Sequence, residues 1–246
     1  MATLRFRIYI LAFCTSLLIR KSCFHCHSQH QKTHAALFIF GDSLYGAGND
    51  NYINTTTEFQ ANFWPYGETF LNYSTGRYSN GRLIPDIIAE YANLPLIPPY
   101  LQPGFNDYTY GVNFASTAAG ALAETHPGFV VLAKLLLKLK GQLNGFKYSN
   151  PNVYSKLYDI TNNPSKHGFQ EGKTACCGSG PYRAIDSCGG KRGVTEYELC
   201  DNVADYVFFD YGHPTERVSQ KVSKSWCSHT PNVRRPYTNL KELFKV

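Results

Sequence analysis

The strongest constraint in this sequence is the run Ala35 to Phe40, A-A-L-F-I-F, which stops abruptly at Gly41-Asp42-Ser43. An apolar stretch without polar alternation predicts a strand buried on both faces of a parallel sheet. In an open α/β sheet, ligands bind beyond the carboxyl ends of the strands, so Ser43 falls where chemistry is favoured. Alone, Gly41-Asp42-Ser43 is equally a turn in which Asp42 and Ser43 satisfy local amides.

Further along, Leu83 to Leu94 places Ile84, Ile87, Ile88 and Tyr91 on one helical face, with Pro85 in the first turn, and the prolines at 95, 98 and 99 end the helix. Tyr110, Val112 and Phe114 then alternate as in a second strand. Val130 to Leu143 carries Leu132, Leu135, Leu136, Leu139 and Leu143 at helical spacing and reads as a core-packing helix. Between these elements, Tyr45 to Arg82 reads as a long ordered excursion whose aromatics either line a cleft or form a satellite core. Turn residues dominate Gly145 to Gly193, and Tyr206 to Phe209 is a last short apolar run ending at Asp210.

With 246 residues the chain suits one α/β domain with a sizeable core. Arg5 and Arg7, the apolar run Ile8 to Ile19, and small or polar residues around Cys26 and Ser28 predict a secretory signal peptide over 1–28, a buried N-terminal helix being the other reading. The run is too short and too closely followed by Arg20 and Lys21 for a spanning helix, so no stable membrane insertion is expected. Those four basic residues carry much of the formal charge, and without them +6 falls to +2. What remains forms no basic groove, and no nucleic-acid partner is expected.

An exported chain places its cysteines in an oxidising compartment. Once Cys14, Cys23 and Cys26 leave with the signal, Cys176, Cys177, Cys188, Cys200 and Cys227 remain, an odd number that leaves at least one thiol outside internal bridges. No two of them have C-x-x-C spacing, which argues against zinc, and neither metal nor cofactor is expected. The sequons at Asn54 and Asn72 lie in turn-rich sequence and are candidate glycan sites.

A serine hydroxyl becomes a competent nucleophile when an imidazole takes its proton and a carboxylate holds that imidazole's tautomer. Ser43, after the first strand, with Asp210 and His213, after the last apolar run, supply the three groups. The elbow G-x-S-x-G is not formed, because Tyr45 stands at its second glycine.

F-G-D-S-L at 40–44, G-N at 48–49, N-F-W-P-Y-G at 62–67, G-R-Y-S-N-G-R at 76–82 and G-V-N-F-A-S at 111–116 together resemble plant GDSL esterase/lipases of the SGNH hydrolase superfamily. So do A-C-C-G-S-G-P at 175–181, C-G-G at 188–190, L-C-D-N at 199–202 and D-x-x-H-P-T-E at 210–216. The resemblance implies a three-layer α/β/α flavodoxin-like domain over 29–246 and hydrolysis of carboxylic esters or acyl lipids, with a small-molecule ester or lipid as the partner. It makes Ser43 the nucleophile, His213 the general base and Asp210 its orienter, with the amides of Ser43 and Gly120 in the oxyanion hole. The family's third block, a G-x-N-D element after a central strand, has no counterpart here, which implies an incomplete sheet and an internal truncation near 130–144. Gly46 stands where the family carries aspartate. The alternative reading is a catalytically inactive secreted remnant that lacks a complete oxyanion hole.

Overall fold

A computed structural model of the chain describes residues 35–70, 72–119, 136–149, 152–228 and 240–244. The proposed signal peptide and Gly120 lie outside them. The apolar run becomes β1 (Leu37–Ile39), which pairs in parallel with β2 (Gly111–Asn113) in the register Leu37 to Gly111 and Ile39 to Asn113. Gly111 makes this approach possible: it has φ +103°, and a Cβ there would lie 2.0 Å from the Leu37 carbonyl oxygen. The far edge of β2 is paired too, since Asn113 N–H donates to the Pro98 carbonyl and Tyr100 N–H to the Asn113 carbonyl.

β1 departs from the expectation of burial on both faces. Ile39 is buried, but Phe38 is 52 % and Phe40 70 % exposed. The reason is the size of the sheet: β1 pairs with β2 alone among the described strands, and one of its faces and one of its edges lie open. The result is an α/β fold with a small, incomplete parallel sheet.

Helix α1 (Ile84–Tyr91) is the one expected from the spacing. Its start is fixed by Asp86, whose carboxylate accepts from Leu83 N–H at 2.8 Å and from Arg77 Nε and Nη2, both at 2.8 Å. Ile84 and Ile87 are buried, whereas Tyr91, expected on the same face, is exposed. Ala89 takes its place, because α1 is packed on two sides: Ile84 joins the core around the C-terminal helix, and Ala89 joins Ile39, Ile97 and Ala115 below the sheet.

The helix expected over Val130 to Leu143 is seen at residues 136–142, here α2; residues 130–135 lie outside the description. Its described end does not pack into a core: Leu143 is half exposed, and Leu136 and Leu139 are only partly buried. An apolar helix face needs an apolar surface opposite, and the Phe38–Phe40 face, which could have served, is itself uncovered. Within the stretch read as turns lies α3 (Val153–Asn162), capped by Asn152 Oδ1 accepting from Ser155 N–H at 3.0 Å. Val153, Leu157 and Ile160 on its inner face were the available signal.

The main core surrounds α4 (Glu216–Ser228), with Val218, Val222 and Trp226 packed on Ile84, Ile160, Phe169, Val207 and Leu240 of the short α5 (Leu240–Leu243). A second cluster joins Tyr66 and Tyr78 to Phe209 and to Cys176, Cys177 and Cys188. The excursion's aromatics thus divide between a satellite core and, as shown below, a cleft. Bridges Cys176–Cys200 and Cys177–Cys188 staple a short antiparallel ladder of β3 (Cys177–Gly178) and β4 (Glu198–Leu199), and Cys227 lies outside both bridges. Among the described residues no helix is long and apolar enough to cross a membrane.

Candidate active site

Ser43 sits in the turn that ends β1, where Asp42 Oδ1 accepts from Leu44 N–H at 3.0 Å and the Asp42 carbonyl from Tyr45 N–H at 3.1 Å. The turn is tied to the end of β2 by buried amides. Asn49 Nδ2 donates to the carbonyls of Asn113 and Ala115, and Asn113 Nδ2 donates to the Tyr45 carbonyl at 2.7 Å. Asp50, also buried, accepts from the hydroxyls of Ser116 and Thr117 and from Thr117 N–H, which fixes the loop after β2. Gly46 fits this turn without strain, since a Cβ there would meet only ordinary contacts, the nearest at 3.4 Å.

The other half of the site comes from the 206–216 segment. Tyr206 to Phe209 runs extended between two neighbours: Cys177 N–H donates to the Phe209 carbonyl at 2.7 Å, and Thr215 N–H to the Val207 carbonyl at 2.9 Å. Phe209 N–H donates to the His213 carbonyl at 2.7 Å and closes the tight turn that carries Asp210 and His213. The G-R-Y-S-N-G-R segment clamps this turn from outside. Ser79 Oγ donates to the Pro214 carbonyl, Asn80 Oδ1 accepts from Glu216 N–H at the start of α4, and Arg82 pairs with Glu216 at 2.7 Å. A Cβ at Gly81 would lie 1.9 Å from Glu216 Oε2, so any side chain there would displace the Glu216 carboxylate.

These two supports bring residues 170 positions apart into contact. His213 Nε2 lies 2.8 Å from Ser43 Oγ, and His213 Nδ1 lies 2.7 Å from Asp210 Oδ1. Asp210 is 1 % exposed. Its carboxylate also accepts from Gly212 N–H, His213 N–H and the Tyr66 hydroxyl, the last at 2.7 Å. Burial alone would push this carboxyl up, but the adjacent His213, the hydrogen bond from it and the other donors outweigh burial and hold it below the usual carboxylate range. Tyr66 moves the opposite way, its hydroxyl held well above its ordinary value by burial and by the Asp210 charge, and so remains a donor.

Sequence reasoning missed two aromatic contributors. Tyr66 was visible only as part of N-F-W-P-Y-G, with nothing local to mark its hydroxyl as a partner for Asp210. Tyr78 lays its ring against the imidazole, centroids 4.5 Å apart, and restricts the rotation of His213. Both sit in the polar excursion, and only the tertiary fold aims them at residues more than a hundred positions away.

Ser43 and His213 open onto a cleft of about 640 Å³. Its described lining is mixed: Phe59, Ile185, Val194 and Tyr211 present apolar surface, while Thr117 and Asp186 are polar. Such a space admits a small ester with a hydrophobic acyl group. No asparagine is found among the described lining residues. Chemically, the arrangement is a hydroxyl in line with a base whose far nitrogen faces a buried anion.

A family profile described as GDSL-like Lipase/Acylhydrolase matches residues 37–158. GDSL esterase/lipase 2 of Arabidopsis thaliana is 33 % identical over 368 aligned positions, covering 97 % of this chain and 98 % of the relative. GDSL esterase/lipase 4 of the same plant is 32 % identical over 378 positions, covering both chains in full. A GDSL lipase of Tanacetum cinerariifolium is 32 % identical over 335 positions, with 89 % of this chain and 90 % of the relative covered. The aligned lengths of the first two exceed the chain's 246 residues by more than a hundred positions, so the relatives carry sequence with no counterpart here. With relatives aligned from end to end at this identity, the chain belongs to the GDSL esterase/lipase family of ester hydrolases.

Proposed function

We propose that the chain is a secreted carboxylic-ester hydrolase that works through an acyl-serine intermediate. The observation that carries this reading is the continuous relay from Ser43 Oγ through His213 to Asp210, with contacts of 2.8 and 2.7 Å. In the first half-reaction His213 Nε2 takes the Ser43 proton as Oγ bonds to the ester carbonyl carbon. The resulting imidazolium is balanced by Asp210 and returns its proton to the departing alcohol as the carbon–oxygen bond breaks. In the second, His213 takes a proton from water, hydroxide adds to the acyl carbon, and Ser43 leaves with the proton restored.

The oxyanion is assigned to the backbone amides of Ser43 and Gly120. Loss of a third donor typically lowers turnover by about 10²–10³, so a slow enzyme is expected. Residues 1–28 are assigned to a signal peptide and 29–246 to a single hydrolase domain. The two disulfides suit an oxidising compartment. Asn54 and Asn72, both exposed, are the proposed glycan acceptors.

The test is hydrolysis of short p-nitrophenyl esters by the purified protein and by Ser43→Ala. Turnover above background that disappears in the variant supports the assignment. A folded protein whose rate equals that of the variant assigns the chain to the inactive-remnant reading instead.

A further inference from the structure

A buried cation stands one residue behind the triad. Arg192, 5 % exposed, lies on the loop that follows the Cys177–Cys188 bridge. Its Nη1 donates to Asp186 Oδ2 at 2.5 Å, and its Nη2 reaches the Tyr66 hydroxyl oxygen at 3.4 Å. The carbonyls of Glu58 and Gln60 accept from the same two nitrogens at 3.4 and 3.3 Å, and the Phe63 ring lies 5.3 Å from the guanidinium. A buried ion pair is a poor way to gain stability, and its place beside Tyr66 gives this one another use.

Proton inventory fixes the direction of the chain of contacts. A guanidinium donates only, so at Tyr66 the hydroxyl oxygen accepts and its single proton is left for Asp210 Oδ2 at 2.7 Å. Tyr66 has little freedom to do otherwise. It is buried, with the rings of Phe63, Tyr78 and Phe209 edge-on around it at 5.6, 5.7 and 5.4 Å. The order runs from Arg192 to Tyr66 to Asp210, and His213 Nδ1 donates to the same carboxylate from the other side.

We propose that Arg192 is a positioning residue of the triad, acting through Tyr66, with Asp186 as its counter-ion; its catalytic consequence rests on the hydrolase reading above. When His213 takes the Ser43 proton, Asp210 must stay ionised and its oxygens must stay aimed at the imidazolium. The amides of residues 212 and 213 hold Oδ1. Tyr66 holds Oδ2, and the guanidinium behind it keeps the Tyr66 proton turned toward the carboxylate. Asp186 balances the guanidinium, which reduces its repulsion of the imidazolium as that charge forms.

The anchorage of the loop suits this role. Cys188 is bridged to Cys177, and Cys177 N–H donates to the Phe209 carbonyl, one residue before Asp210. The loop that carries Arg192 and the turn that carries Asp210 thus share one frame. A mechanical staple between this loop and the 58–60 segment would use the carbonyl contacts and be indifferent to the Tyr66 hydroxyl. The two roles therefore part in their consequences.

The test combines p-nitrophenyl ester kinetics of the full chain with the low-field proton resonance of His213 Nδ1–H, assigned by its loss in His213→Ala. Tyr66→Phe and Arg192→Met should each lower kcat about tenfold with KM changed less than about threefold, and each should displace or broaden the resonance. Arg192→Lys, which keeps the charge, restores most of the rate. In the Tyr66→Phe background Arg192→Met should cost less than about twofold more, since its route is gone. Should Arg192→Met fail to fold by leaving Asp186 unpaired, Arg192→Met with Asp186→Asn removes both charges and is read in the same way. The resonance needs no substrate: displaced in the variants of a protein that hydrolyses nothing, it upholds the positioning role while the hydrolase reading falls. Native kcat in Tyr66→Phe, an undiminished cost of Arg192→Met in that background, or a lowered Tm with the resonance unmoved overturns the proposal.

Discussion

Replacing Asp210 with asparagine removes one charge and almost no volume, so its effect isolates the electrostatic role assigned to this residue. In the native site the carboxylate accepts from His213 Nδ1, from the amides of residues 212 and 213, and from the Tyr66 hydroxyl. Asparagine keeps one carbonyl oxygen, enough for the two amides. Its NH₂ group takes the other position, where the Tyr66 hydroxyl can turn to accept, so the fold survives. His213 Nδ1, which lies 2.7 Å from Oδ1 and 2.9 Å from Oδ2, is left to share the one carbonyl oxygen with the two amides, meets an NH₂ donor in place of Oδ2, and no longer faces a negative charge. The imidazole is driven to the tautomer with its proton on Nε2, which donates to Ser43 Oγ instead of accepting from it. In a serine triad this loss of tautomer control lowers kcat by about 10⁴, or roughly 5 kcal/mol of barrier. The expected result is that loss in kcat for a p-nitrophenyl ester with KM changed less than about threefold, because the cleft lining is untouched. An Asp210→Asn variant within about tenfold of the native kcat would refute this role for Asp210.

Two further outcomes follow from buried charges. Arg77 and Asp86 are 7 % and 5 % exposed and joined by two 2.8 Å bonds, so Arg77→Ala leaves a buried carboxylate without its cation and should cost about 3–5 kcal/mol; a thermal melt should show Tm lowered by about 10 °C. Asp210 is held more acidic in the fold than in the unfolded chain, so its contribution to stability is present above the unfolded value of about 3.9 and disappears as pH falls through the lower folded value. Urea titrations below about pH 4 should therefore show a steeper acid loss in the native protein than in Asp210→Asn.

What could be read from the chain itself was what local pattern dictates. The end of an apolar run placed Ser43 at a strand terminus, and the Ile84/Ile87 spacing gave α1. Three features escaped for one shared reason: they depend on what lies across from a segment. The solvent exposure of Phe38 and Phe40 follows from β1 having β2 as its one strand neighbour among the described residues, which no property of A-A-L-F-I-F records. The Tyr66 hydroxyl and the Tyr78 ring act on Asp210 and His213 through a fold that closes more than a hundred residues of chain. The helix at Val153–Asn162 was readable in principle from its Asn152 cap, but surrounding glycines and asparagines masked a short apolar period.

The central claim is that Ser43 is an activated nucleophile, and its reaction with a fluorophosphonate probe measures that without any assumption about substrate. The account predicts a covalent phosphonyl adduct on the peptide that carries Ser43, slowed by Asp210→Asn and absent in Ser43→Ala. A correctly folded protein that stays unlabelled, or takes the label equally well after Ser43→Ala, would contradict it.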